Sequence, residues 1–101
     1  MNKHIFRSYI DNITQYYGIP EKKIFSGTKH YELVEPRRLF FYLCNKKGIP
    51  VVTIQKFLEG IGYKAEHSTI IRGIQKITQT IESNEEYQKV LARLEVITAN
   101  V

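Results

Sequence analysis

An all-α fold of about six helices, containing a helix-turn-helix, is predicted by three features of the sequence. Apolar residues recur every three or four positions along most of the chain, glycine and proline punctuate these runs, and no segment alternates as a half-buried strand does. The weak alternation over Ile49–Thr53 is broken by Pro50. At 101 residues and 43% hydrophobic, the chain matches one domain, 1–101, with one core.

Between Lys3 and Tyr17 the residues Ile5, Phe6, Tyr9, Ile10, Ile13, Tyr16 and Tyr17 form one helical stripe. Gly18-Ile19-Pro20 then closes that helix and opens a short second one over Pro20 to Phe25. Ser26 to Val34 has no period and reads as a loop. Pro36 lies in the first turn of a third helix reaching about Lys47, where Gly48-Ile49-Pro50 repeats the earlier punctuation. Its run Leu39 to Cys44 is apolar almost all round, the pattern of a central helix. Thr53 is expected to cap a helix from Ile54 to Ile61, and Gly60 and Gly62 close it.

A longer helix follows from about Glu66 to Glu82, buried through Ile70, Ile74, Ile77 and Ile81. Ser83-Asn84-Glu85-Glu86 reads as a capping box for a last helix through Tyr87, Val90, Leu91, Leu94 and Ile97. The expected product is a monomeric domain with a core of Leu39, Phe40, Leu43, Ile54, Phe57, Ile70, Ile74 and Ile77.

Charge is distributed unevenly. Lys22 to Lys76 holds eleven basic residues against four acidic ones, whereas the rest of the chain is acidic on balance. An electropositive middle suits a polyanion. The pair of helices over Ile54 to Glu82, joined at Gly62-Tyr63-Lys64-Ala65, has the form of a helix-turn-helix. With Ile70, Ile74 and Ile77 inward, the period turns Ser68, Thr69, Arg72, Gln75, Lys76 and Gln79 outward. Glu66, His67, Ser68 and Thr69 then form the first turn, the part of such a helix that reaches base edges, and Arg72 and Lys76 are one turn apart for phosphates.

Lys64-Ala65-Glu66-His67-Ser68-Thr69-Ile70-Ile71-Arg72-Gly73-Ile74-Gln75-Lys76-Ile77 resembles the signature of the DnaA C-terminal DNA-binding domain, in which Asp-His-Ser/Thr-Thr opens the recognition helix. Ser26 to Cys44 is similar to that family's basic loop and following helix, with Val34-Glu35-Pro36-Arg37-Arg38-Leu39 in place of Val/Ala-Arg-Pro-Arg-Gln-hydrophobic. Ile10 to Ser26, with Tyr16-Tyr17-Gly18-Ile19, resembles its opening helix. The resemblance covers most of the chain in the family's order and implies a DnaA C-terminal domain-like (TrpR-like) fold. It also implies that Glu66, His67, Ser68 and Thr69 read bases, and that Lys29, Arg37, Lys64, Arg72 and Lys76 meet the DNA backbone. Departures accompany it: Glu66 stands for aspartate, Ala65 for an arginine or similar residue, and the loop Ser26 to Glu32 keeps one certain positive charge, Lys29. Short insertions fall near Val51-Val52 and Tyr63.

Other chemistry is not expected. No Gly-x-x-x-x-Gly-Lys-Ser/Thr loop occurs, so no ATPase is read, and His4, His30, His67 and Cys44 lack the spacings of a zinc site. Cys44 lies in an apolar run and reads as a core thiol, not a nucleophile. No catalytic residue, cofactor, metal, small-molecule substrate or membrane is expected; the expected partner is double-stranded DNA, with other replication proteins as a further possibility. The expected location is the cytoplasm, at the nucleoid. Met1 before a helix favours a complete small protein over a piece of a longer initiator. A second reading stays open: a protein-interaction module with a degenerate DnaA-like fold that modulates replication proteins.

Overall fold

Proline and glycine set several of the helix boundaries, because each fixes backbone geometry that other residues adopt poorly. The computed structural model describes residues 2–97; Met1 and 98–101 of the expected domain lie outside the described residues. Six α-helices follow in order: α1 (Lys3–Tyr17), α2 (Glu21–Ile24), α3 (Val34–Lys46), α4 (Val51–Gly60), α5 (His67–Ser83) and α6 (Glu85–Leu94). No strand occurs among the described residues. Nor is any helix there long and apolar enough to cross a membrane.

Helix α1 stops at Gly18, whose φ of 67° is left-handed and whose N–H donates to the Thr14 carbonyl at 2.8 Å. Pro20 and Pro50 are extended residues just before α2 and α4, each offering its carbonyl to the first turn. Helix α4 therefore begins at Val51, three residues earlier than the periodicity indicated, and Thr53 lies inside it rather than capping it. Likewise the supposed loop before α3 contains a 3₁₀ turn, Tyr31–Leu33, that runs directly into the helix. Leu33 is fully buried there, but a single apolar residue carries no period.

The cap of α6 is Asn84, not Ser83. Asn84 is extended (φ −145°, ψ 103°) and its side chain accepts from the Tyr87 N–H at 3.1 Å, whereas Ser83 still belongs to α5. A cap must be a residue whose own backbone has left the helix, and Ser83 has not. Ile97 lies beyond α6 and is half-buried.

Helix α3 runs through the centre of the domain. Leu39, Phe40, Phe41, Leu43 and Cys44 are all buried, packed against Phe6, Tyr9, Ile10 and Ile13 of α1 and Ile70 and Ile77 of α5. Phe40 meets Phe25 edge-on at 5.3 Å, and Phe6 stacks on Phe57 at 4.1 Å. Six of the eight expected core residues are buried, while Phe57 and Ile74 are half-buried at the rim.

Gly73 explains Ile74. A Cβ built at Gly73 would lie 2.9 Å from Phe41 Cδ2 and 3.1 Å from Arg38 Cγ, so the glycine lies in close contact with α3. Ile74 is the next residue, turned about 100° around the helix from that line of contact. At the far end, Asn12 of α1 donates to the carbonyls of Leu94 (3.0 Å) and Val96 (2.6 Å), and Lys46 of α3 pairs with Glu95. These bonds seat the end of α6 on the core.

Candidate nucleic-acid interface

The turn between α4 and α5 is held from three sides. Tyr63 donates its N–H to the Leu58 carbonyl at 2.8 Å, and Gly62 takes a φ of 93° that an L side chain would oppose. Ala65 is buried, and its carbonyl accepts from Gln55 Nε2 at 3.0 Å. Helix α5 consequently leaves the turn in one direction.

Glu66 precedes α5 with an extended backbone, its carbonyl accepting from the Ile70 N–H at 3.1 Å. Its side chain makes no capping bond. Glu66, His67, Ser68 and Thr69 are all exposed, and among the described residues none of their side chains is engaged in a hydrogen bond or ion pair. Successive residues of a helix differ by about 100°, so the four do not share one direction. Thr69 lies on the flank facing α3, in a groove of 180 Å³ with Arg37, Arg38, Tyr63 and Arg72. That groove contains no acidic residue.

The five expected backbone cations occupy different settings. Lys29, Lys64, Arg72 and Lys76 are exposed. Arg37 is half-buried and already committed: its Nε donates to the Ile24 carbonyl at 2.6 Å, and one Nη donates to the carbonyls of Ser26 and Thr28, each at 2.8 Å. Its guanidinium also stands over the Tyr63 ring at 5.1 Å, and that ring meets Phe25 edge-on. Through Arg37 the loop before α3 and the turn before α5 become one assembly.

Lys76 lines a second groove, of 360 Å³, with Tyr31, Glu35, Arg38 and Tyr87. Arg38 borders both grooves, a placement that periodicity did not single out. Its signal in the sequence is the small residue Gly73 on the facing helix, and that signal becomes legible only once α3 and α5 are known to touch. In the second groove the Tyr87 phenol donates to Glu35 Oε2 at 2.6 Å. Burial, together with the Glu35 carboxylate, holds the Tyr87 and Tyr17 phenols above their ordinary range. Cys44 is likewise pushed up by burial alone and lies in the core, apart from both grooves.

Two helices joined by a pinned turn, the second presenting an uncommitted polar first turn beside cationic grooves, define a helix-turn-helix domain. The sequence matches the family model described as the bacterial dnaA protein helix-turn-helix over residues 8–77. The chain belongs to this family, the C-terminal helix-turn-helix domain of DnaA. Among curated relatives, chromosomal replication initiator protein DnaA 1 of Chlamydia pneumoniae is 33% identical over 75 residues, 74% of this chain and 15% of that protein. DnaA 2 of Chlamydia caviae is 30% identical over 69% of the chain and 14% of its own length, and DnaA 1 of Chlamydia muridarum 26% identical over 83% and 18%. The chain thus spans under a fifth of the relatives it matches. No solved structure matches it significantly.

Proposed function

We propose that this domain binds double-stranded DNA and reads its sequence with the first turn of α5 in the major groove, in the service of chromosomal replication or its control. In this reading the Glu66 carboxylate accepts from cytosine N4, the Thr69 methyl packs on a thymine methyl, and His67 and Ser68 offer donors to base edges. Arg72 and Lys76 meet phosphates one turn apart, Lys29 and Lys64 approach the backbone from the loop and the turn, and Arg37 holds the loop in place. The contribution of these 101 residues is binding, with no hydrolysis assigned to them, and it places the domain at the nucleoid.

The observation that carries the reading is the state of that first turn. Four exposed polar side chains make no bonds within the protein, beside an acid-free groove lined by Arg38 and Arg72. A turn serving only as a helix cap would spend at least one of these side chains on the backbone N–H groups, and Glu66 does not.

Selection of bound duplexes from a random pool, followed by sequencing, tests the proposal. One enriched motif is expected, with retention that weakens steeply as salt rises. Retention without enrichment would overturn sequence reading, and absence of salt-dependent retention would overturn DNA binding in favour of a protein partner.

A further inference from the structure

Tyr31 is the most exposed aromatic residue among those described, at 83% against 48% for Tyr16, while Phe6, Tyr9, Phe25, Phe40 and Phe41 are buried. The segment that displays it is anchored at both ends. On one side, Arg37 grips the carbonyls of Ser26 and Thr28; on the other, Leu33 is fully buried and its N–H donates to the His30 carbonyl at 3.0 Å.

The surroundings indicate the chemistry of what covers it. Tyr31 lines the same groove as Arg38 and Lys76, and exposed Lys29 lies two residues before it. Acidic groups are also near: Glu32 is the next residue and exposed, and Glu35 lines the groove with its carboxylate accepting the Tyr87 phenol. The cations Arg38 and Lys76 have no ion-pair partner among the described residues. Planar apolar surface beside free cations matches a ligand that joins negative charge to the apolar faces of sugars, which is the composition of a nucleic-acid backbone. Lys76 belongs to α5 itself, so this groove flanks the helix proposed to enter the major groove.

We infer that Tyr31 is a DNA-contacting residue, its ring packing on the sugar-phosphate ridge beside the groove that α5 occupies and its phenol donating to a phosphate. The inference rests on the proposed DNA binding and adds a neutral contact to it. Cations contribute through counterion release and are felt in the salt dependence, whereas a packed ring is not. Tyr31 accordingly strengthens binding without steepening its response to salt.

The test measures affinity for the selected duplex at several salt concentrations for wild type, Tyr31→Ala, Tyr31→Phe and Lys76→Ala, with melting temperatures as a folding control. Tyr31→Ala is expected to weaken binding by about tenfold, as burial of part of one ring would give, with the salt slope and melting temperature unchanged. Tyr31→Phe should recover most of that loss, and Lys76→Ala should lower the slope by about one unit. A photocrosslinking amino acid at position 31 should attach to the duplex. Wild-type affinity in Tyr31→Ala with no crosslink would overturn the inference and leave the proposed function standing. Failure of the wild type to bind any duplex would remove both.

Discussion

Replacing Arg37 by lysine separates two roles that a cation beside DNA can have. The substitution keeps the charge and removes the fork. In the fold, the guanidinium makes three bonds of 2.6 to 2.8 Å to the carbonyls of Ile24, Ser26 and Thr28 and stands over Tyr63. An ammonium on a flexible stem cannot reproduce the planar geometry, so at least two of these bonds are lost. Hydrogen bonds to a charged group are worth roughly 1.5 to 3 kcal/mol each. The site is half-buried and the Thr28 bond is exposed, so water replaces part of what is lost, and the net cost should be about 1 to 3 kcal/mol. In a domain of this size, each kcal/mol lowers the melting temperature by about 4 to 8 °C. Thermal unfolding followed by circular dichroism gives that fall, and DNA affinity across a salt series gives the second readout. The salt slope should stay at the wild-type value, because no charge has been removed. Unchanged melting would refute the reasoning, since it would mean that the three carbonyl bonds of the guanidinium do not hold the loop.

Gly73→Ala sets about 1 kcal/mol of gained helix propensity against a Cβ placed 2.9 Å from the Phe41 ring; overpacking of that kind costs about 1 to 3 kcal/mol, so a net loss of stability is expected in urea unfolding, and a stabilised variant would mean that α5 and α3 are farther apart. Thr69→Ala should relax preference at one base pair by about 1 to 3 kcal/mol while leaving affinity for unrelated duplexes nearly constant, as measured by competition binding; an unchanged ratio of specific to nonspecific binding would remove Thr69 from base reading. Removing Lys29, Arg72 and Lys76 together should flatten the salt dependence by about three units and weaken all duplexes alike, and an unaltered slope would place the DNA surface elsewhere. Alkaline pH should destabilise the fold. Burial pushes the Tyr9 phenol up to about 12 from an ordinary 10.0 and raises Tyr17 and Tyr87 further in the same direction. The unfolded chain then loses these protons first, so their contribution is complete below about pH 10 and falls steadily as pH rises from there toward 12. Urea midpoints that hold steady or climb over that interval would contradict the burial of these phenols.

The sequence alone determined the helical class, the central place of α3 and the phase of α5, because each depends on interactions within a few residues. Gly18 ends α1 through its own φ, the Leu39–Cys44 run, apolar almost all round, leaves only Tyr42 half-buried, and the isoleucine stripe orients the polar turn at Glu66–Thr69. Boundaries shifted where a choice between neighbouring residues turned on backbone conformation, as with Asn84 over Ser83 and Pro50 over Thr53. The tertiary structure decided everything that depends on distant residues meeting. Arg37 is committed to carbonyls nine to thirteen positions earlier in the chain, Gly73 instead of Ile74 lies at the crossing with α3, and Arg38 reaches both grooves from a helix that the charge count treated as one more basic stretch. A repeat of 3.6 residues records which way a side chain points from its own helix axis, but not which helix lies opposite. The partner follows only from how the helices pack, and with it whether a cation is unpaired or already held by the protein.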